Sequence, residues 1–258
     1  MMDQIEKATR FAELHQKGNP LLLYNAWDAG SAKSIFECGA KAIATSSWSM
    51  ARAQGYRDGE LIPFSLMAQL TNRIVATINA PVSLDFEGGY SGDDDNELVF
   101  NVLELLDLGI TGLNFEDRIV KGQGLYEVDH QANRIAIIRE AADMMGVPLF
   151  INARTDLFLK KDGKPENDMD EAIKRAQAYA AAGASGFFVP GLVEDNLIRE
   201  ICDSTVLPVN VMLLSGMSSI RSLSKLGVAR ISFGPTPYVQ TMNVLQSAAT
   251  VLFSKGGY

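Results

Sequence analysis

Pro81-Val82-Ser83-Leu84-Asp85-Phe86-Glu87-Gly88-Gly89-Tyr90 reads as a short apolar strand that runs out into two carboxylates and two glycines. Successive strand residues point to opposite faces, so Asp85 and Glu87, two positions apart, are expected on one side. Two like charges held this close repel. The pair persists if both acids stay hydrated, if one takes a proton, or if a cation sits between them. A hard divalent cation is the simplest of these answers, and two acids decorating a loop rim is the plainer reading of an isolated Asp-x-Glu. Where the rest of the chain places this strand decides between them.

Working outward, similar short apolar runs recur at residues 21–24, 42–45, 112–115, 148–151, 186–189, 208–211 and 229–233, which with 82–85 makes eight candidate strands. Between them lie stretches of helical spacing, at 97–108, 132–145, 171–182 and 218–226, after an opening helix expected over 3–16. Several close on a glycine where a helix C-terminus favours one, as at Gly109, Gly146 and Gly183. Strands apolar on both faces that alternate with helices form parallel β-α units, because parallel strands need a crossover that covers the sheet. Eight units in 258 residues predict an α/β chain folded as a single (β/α)8 TIM-type barrel over 1–258, with an N-terminal helix and a short C-terminal helical segment near 238–254. No Gly-x-Gly-x-x-Gly follows the first strand, which removes support for a dinucleotide-binding sheet. The polar stretch 160–167 is expected to be a loop after the fifth strand.

Lysine and arginine number 23 against 31 acidic residues, a net charge of −8 without a dense basic stretch, so nucleic acid and anionic membranes are not expected partners. No uncharged apolar run approaches the roughly 20 residues that span a bilayer. Cys38 and Cys202 have neither metal-ligand nor disulfide spacing and are expected to be free buried thiols, consistent with a cytoplasmic protein.

In such a barrel the reacting groups sit where strands end at their C-terminal side. The second strand runs into Thr45-Ser46-Ser47-Trp48, followed by Gly55-Tyr56-Arg57-Asp58-Gly59; the fourth ends in Asn114-Phe115-Glu116-Asp117 and the fifth in Asn152-Ala153-Arg154-Thr155-Asp156. Acids and one arginine thus converge on one mouth. Oxygen ligands without clustered histidine or cysteine favour Mg2+, with Mn2+ as the alternative, over zinc. Asp85 is the expected direct ligand, and Asp58, Glu87 and Glu116 are expected to hold water on the ion. Arg154 offers a planar fork for a carboxylate or phosphoryl group, and the Ser46, Ser47 and Trp48 amides could grip a second anionic end. Geometry alone equally allows Arg154 to form a barrel-lining ion pair with Glu116 or Asp156. Asn210, expected at the end of the seventh strand, could reach a substrate or cap a turn. His15 and His130 are assigned surface or capping roles.

Ala42-Ile-x-x-Ser46, Gly55-Tyr-x-Asp-Gly59, Asp85-x-Glu-Gly-Gly-Tyr90, Gly112-x-Asn-x-Glu-Asp117 and Ala153-Arg-Thr-Asp156, in this order over nearly the whole chain, resemble the isocitrate lyase and phosphoenolpyruvate mutase superfamily. The resemblance implies a (β/α)8 barrel that binds Mg2+ and makes or breaks bonds next to an enolate or oxyanion derived from a 2-oxo acid. It assigns the metal to Asp85, with Asp58, Glu87 and Glu116 around it, and the substrate to Ser46, Ser47, Trp48 and Arg154. It also implies a homo-oligomer, dimer or tetramer. The departure is the loop after the fourth strand. Carbon-carbon lyases of the family carry Lys-Lys/Arg-Cys-Gly-His there; this chain has Lys121-Gly122-Gln123-Gly124-Leu125. Glutamine donates no proton at neutral pH, so isocitrate or 2-methylisocitrate cleavage by the usual route is not expected. Mutase and phosphonopyruvate hydrolase members also lack that cysteine, which leaves Lys121 and Gln123 as the loop's candidate catalytic residues.

The expected activity is a Mg2+-dependent carbon-carbon lyase or hydrolase acting on a small anionic 2-oxo or 2-hydroxy acid of oxaloacetate-like or malate-like kind. Phosphorus-carbon chemistry and an inactive oxo-acid-binding protein are the alternatives.

Overall fold

The computed structural model describes residues 2–159 and 164–254. In chain order the elements are α1 (Gln4–Glu13), β1 (Leu21–Leu23), α2 (Ala29–Glu37), β2 (Ile43–Ala44), α3 (Ser47–Ala53), α4 (Phe64–Thr77), β3 (Val82–Asp85), α5 (Asp95–Asp107), β4 (Gly112–Glu116), α6 (Val128–Met144), β5 (Phe150–Arg154), α7 (Met169–Ala181), β6 (Gly186–Phe188), α8 (Asp195–Ser204), β7 (Val209–Met212), α9 (Ile220–Lys225), β8 (Arg230–Ser232) and α10 (Thr236–Ser254). The strands form one parallel sheet in the order β1-β8-β7-β6-β5-β4-β3-β2. It closes between β1 and β2 by a single parallel bridge, Ala26 to Thr45, in which the Ala26 N–H donates to Ala44 O at 2.8 Å and the Ser46 N–H to Ala26 O at 3.1 Å. Asn25 reinforces this seam. Its Nδ2 donates to Thr45 O at 2.7 Å and its Oδ1 accepts the Phe233 and Gly234 amides, each at 2.9 Å. The eight-stranded barrel expected from the alternation is therefore present.

Two layers of core hold it. Between sheet and helices, Leu98, Val102 and Leu105 of α5 and Ile135 and Ile138 of α6 are fully buried, each such side chain contributing about 1.5–3 kcal/mol relative to exposure. The N-terminal end of the barrel is stoppered by α1, whose start is fixed by a capping box between Asp3 and Glu6. Its Phe11 is fully buried and meets Phe150 edge-on at 5.4 Å. Gly112 makes room for it, because a Cβ there would come within 2.7 Å of Phe11 Cε1.

The opening helix ends at Glu13, short of the expected residue 16, and leads into a tight turn bridged between Gln16 and Asn19. The fifth strand lies at Phe150–Arg154 rather than 148–151, because Phe150 N–H is the first amide to join the ladder, donating to Thr111 O. β7 continues to Met212, which puts Asn210 inside the strand instead of at its end. His15 is buried, not a surface residue: the turn after α1 folds its ring onto Phe150 at 3.9 Å. Cys202 is buried as expected, but Cys38 is exposed, because it caps the outer end of α2. Residues 160–163 of the expected loop, and residues 255–258 at the end of the chain, lie outside the described residues; Pro165–Asp168 forms a 3-10 turn. Among the described residues no helix is long and apolar enough to cross a membrane.

Candidate active site

The strand ends place a small cavity, about 160 Å3, at the C-terminal mouth of the barrel, with Ser47, Asp58, Asp85, Asn114 and Arg154 on its wall. Asp85 is the last residue of β3. Both of its carboxylate oxygens are engaged. Oδ2 accepts the Ser47 N–H at 2.9 Å and the Ser47 hydroxyl at 2.8 Å, and Oδ1 accepts Asn114 Nδ2 at 3.4 Å. The Ser47 hydroxyl also stands 3.4 Å from Asp58 Oδ1, so one proton serves two acids.

Glu87 reaches the cluster by a different route from strand alternation. β3 ends at Asp85, and Glu87 has a left-handed backbone, φ 50°, as do Glu60 at 54° and Tyr90 at 58°. Non-glycine residues in this region are strained, and such strain gathers at functional sites. The bend lets Glu87 Oε2 accept the Gly59 and Glu60 amides at 3.0 and 2.9 Å, while Oε1 accepts the Tyr90 hydroxyl at 3.1 Å. Glu60 Oε1 in turn accepts the Tyr90 N–H at 2.8 Å.

Arg154 sits at the end of β5 opposite Glu116 at the end of β4. Its Nε and Nη2 grip Asp156 at 2.6 and 3.0 Å, and its Nη1 meets Glu116 Oε2 at 2.9 Å and stands 3.9 Å from Asp85 Oδ1. Both ion pairs that the sequence allowed are thus formed, yet the guanidinium still lines the cavity. Burial works against its charge, but Glu116, Asp156 and Asp85 hold its pKa well above the ordinary value.

The acids respond in the opposite sense. Burial, followed by Asp58 and Asp85, pushes Glu87 up to about 8. Asp58 is raised by burial of its carboxyl and then by Asp85, with Arg154 offsetting part. Burial raises Glu116 well above the carboxylate range, and Arg154 offsets this only in part because Asp156, Asp85 and Glu87 crowd it. One arginine does not neutralise this many acids, and the donor set is all oxygen. A divalent cation fits that chemistry. Among the described residues no three His, Cys, Asp or Glu side chains come together as a direct ligand set. An oxygen-only donor set suits a hard ion such as Mg2+ better than zinc.

The sequence profile of the phosphoenolpyruvate phosphomutase family matches residues 11–253. The chain belongs to this family. Within the wider isocitrate lyase and phosphoenolpyruvate mutase superfamily it is similar to a provisionally named phosphonomutase structure from Burkholderia cenocepacia J2315, with 45% identity and a TM-score of 0.92 over 95% of this chain and 99% of that one. An uncharacterised protein of Mycobacterium tuberculosis H37Rv is 32% identical over 88% of this chain and 83% of its own length. The 2-methylisocitrate lyase of Bacillus subtilis 168 is 26% identical over 91% of this chain and 71% of its own.

In this phosphomutase-family chain the remaining expected residues fall into two groups. Ser46 and Ser47 are at the mouth but their amides are occupied, by Ala26 O and Asp85 Oδ2 respectively. Both belong to the start of α3, whose N-cap is Ser46, and the Ser46 hydroxyl accepts Ser49 N–H at 3.3 Å. Trp48 is on the cavity wall and packs edge-on against Tyr238 of α10 at 6.0 Å. Asn210 is buried beneath, its amide paired on both sides with Ser232 Oγ at 2.8 and 2.9 Å. Lys121 and Gln123 are exposed and do not join the cavity. Lys121 instead lines a separate cleft of about 180 Å3 with Glu60 and Gly88, on a loop folded back by the Arg118–Leu125 bridge. His130 lies on α6, exposed and 3.7 Å from Asp93.

Sequence reasoning missed the clamp role of Glu60 and the depth of the polar layer under the site. Asp156 was visible, two residues after Arg154, as one of two alternative ion-pair partners. Glu60 carried no signal, since nothing in its neighbours announces a left-handed residue.

Proposed function

We propose that the protein is a Mg2+-dependent enzyme that stabilises the enolate of a small 2-oxo acid, and that it cleaves or hydrolyses a carbon-carbon bond in a short oxaloacetate-like or malate-like acid. One observation carries this reading: Arg154, whose side chain is only 16% exposed, shares the wall of a cavity of about 160 Å3 with Asp85 and Asp58 at the barrel mouth. The volume suits an acid of a few carbons. Asp85 would hold the ion directly, with Asp58, Glu87 and Glu116 holding its water, and Mn2+ is the alternative metal. Bound there, the cation would supply positive charge where negative charge develops on an enolate oxygen.

The chain's own groups do the rest. Arg154 has N–H groups beyond those that Asp156 and Glu116 occupy, and these would pair with a substrate carboxylate held in a fixed plane by the Asp156 grip. Ser47 would keep Asp85 oriented through its amide and hydroxyl. Trp48 would shield the mouth from water. Lys121 and Gln123 would contribute after the 118–125 loop moves over the cavity, which is the role the proposal gives its glycines.

Phosphorus-carbon chemistry is the second reading, supported by the phosphonomutase name of the 45%-identical structure and by the glutamine where lyases carry a cysteine. Incubation with Mg2+ and a panel of oxaloacetate, substituted malates and phosphonopyruvate, followed by proton and phosphorus NMR, separates the two. Consumption of a carbon acid supports the proposal; turnover of phosphonopyruvate alone replaces it with the second reading; binding without turnover of any compound marks an oxo-acid-binding protein.

The proposal includes a homo-oligomer in a reducing cytoplasm. Its support is the apolar surface that α10 leaves open, with Val244 71%, Leu245 61% and Phe253 79% exposed, beside a groove of about 1030 Å3 between α2 and the start of α10.

A further inference from the structure

Arg230 is the first residue of β8 and is fully buried inside the barrel. Among the described residues no carboxylate is within ion-pairing distance of it. Its Nη2 donates to Asn114 Oδ1 at 3.1 Å, while among the described residues its Nε and Nη1 have no hydrogen-bond partner. A guanidinium in this position is costly, and burial pulls its pKa down to about 9, with Asp85 the charge that opposes the fall. An apolar side chain of similar size would pack here at less cost. A chain that carries this cost places a positive charge below its carboxylate cluster.

The consequence runs through Asn114. Arginine has donors and no acceptor, so Arg230 fixes which way the Asn114 amide faces: its oxygen inward, its NH2 outward. Asn152 Nδ2 reinforces that orientation by donating to the same Oδ1 at 2.8 Å. The outward NH2 then stands 3.4 Å from Asp85 Oδ1. With Oδ2 held by Ser47, the Asp85 carboxylate is set from both sides.

We propose that Arg230 is a positioning residue for the metal-binding carboxylate, acting through Asn114 to fix the rotation of Asp85. The inference rests on the reading of Asp85 as the metal ligand. It assigns to Asn114 and Arg230 one shared effect, because the amide transmits what the guanidinium imposes. It also separates stability from function. Removing the guanidinium relieves an unpaired buried charge while loosening the ligand, so the two properties move in opposite directions.

The test is Mn2+ binding to the metal-free protein, followed by electron paramagnetic resonance, with melting temperature measured in parallel. Arg230→Met is expected to weaken Mn2+ about tenfold with an unchanged or higher melting temperature. Asn114→Ala is expected to weaken it by a similar factor, and the double variant to be no weaker than either single one. Arg230→Lys, which keeps a charge and donors on the same stem, recovers most of the affinity. Arg230→Met with wild-type affinity, or losses that multiply in the double variant, would overturn the inference. Should Arg230→Met not fold, Asn114→Ala and Arg230→Lys decide it: wild-type affinity in the first or a full loss in the second overturns it. Asp85→Asn is the control. If it binds Mn2+ as the wild type does, the metal reading itself fails; if it alone loses binding, only the role of Arg230 fails.

Discussion

Arg154 and Asp156, two residues apart at the end of β5, form a two-pronged ion pair, Nε to Oδ1 at 2.6 Å and Nη2 to Oδ2 at 3.0 Å, that fixes the plane of the guanidinium. Asp156 is itself held, its N–H donating to Asp117 Oδ1 at 3.0 Å, and Asp117 is anchored by Arg175 and Tyr179, each at 3.0 Å. A buried network thus stands behind Arg154, which among the described residues is the one cation on the cavity wall. Asp156→Asn keeps the shape but removes the charge that orients Arg154. Oxalate affinity, measured by calorimetry in saturating Mg2+, is expected to fall about tenfold, near 1.4 kcal/mol, while Mg2+ affinity changes little.

Glu87 gives a pH signature to the metal-free protein. Its folded pKa, about 8, lies above the ordinary carboxylate value of 4.5. The folded state therefore holds a proton that the unfolded state has released, and stability falls as pH rises from 4.5 through 8. Urea denaturation between pH 6.5 and 8, above the window in which His15 opposes it, should show the slope in the wild type, and Glu87→Gln should flatten it.

His15 acts in the opposite direction and over a lower window. Burial, and then Arg230, lower its pKa from 6.5 to about 3. Below pH 6.5 the unfolded state takes up a proton that the folded state refuses, so stability is lost as pH falls from 6.5 toward 3. Between pH 7 and pH 5 this residue alone costs about 2 kcal/mol. His15→Gln, compared with the wild type by denaturation at both pH values, should remove that difference.

Gly112 tests the stopper of the barrel. A methyl group there would press on Phe11 at 2.7 Å and on the Phe150 carbonyl oxygen at 3.0 Å, and the second contact is backbone. Gly112→Ala is expected to destabilise by about 1–3 kcal/mol through overpacking, read as a lower denaturation midpoint at unchanged slope.

The barrel was legible because each strand is a short apolar run closed by a turn, and Val82–Asp85 was found at its true bounds. The acids at the mouth were legible for the same reason: strand ends are where a chain of this topology turns polar. What was hidden depends on contacts between elements distant in sequence. His15 is buried because Phe150, far along the chain, offers a ring to stack on. Glu87 joins the cluster through a left-handed bend held by the Gly59 and Glu60 amides, which no two-residue alternation describes. Arg230 did leave a trace, as a charge near the start of the apolar run 229–233, but nothing in that run shows that its partner is Asn114.

The central claim is an enolate site assembled by Asp85 and Arg154 around a cation. Oxalate resembles the enolate of pyruvate, so its binding with and without Mg2+, measured by calorimetry on the wild type and on Asp85→Ala, tests that claim most directly. The account predicts that Mg2+ tightens oxalate at least tenfold in the wild type and has no effect in Asp85→Ala. Oxalate affinity that is indifferent to Mg2+, or a Mg2+ effect that survives the loss of Asp85, would contradict it.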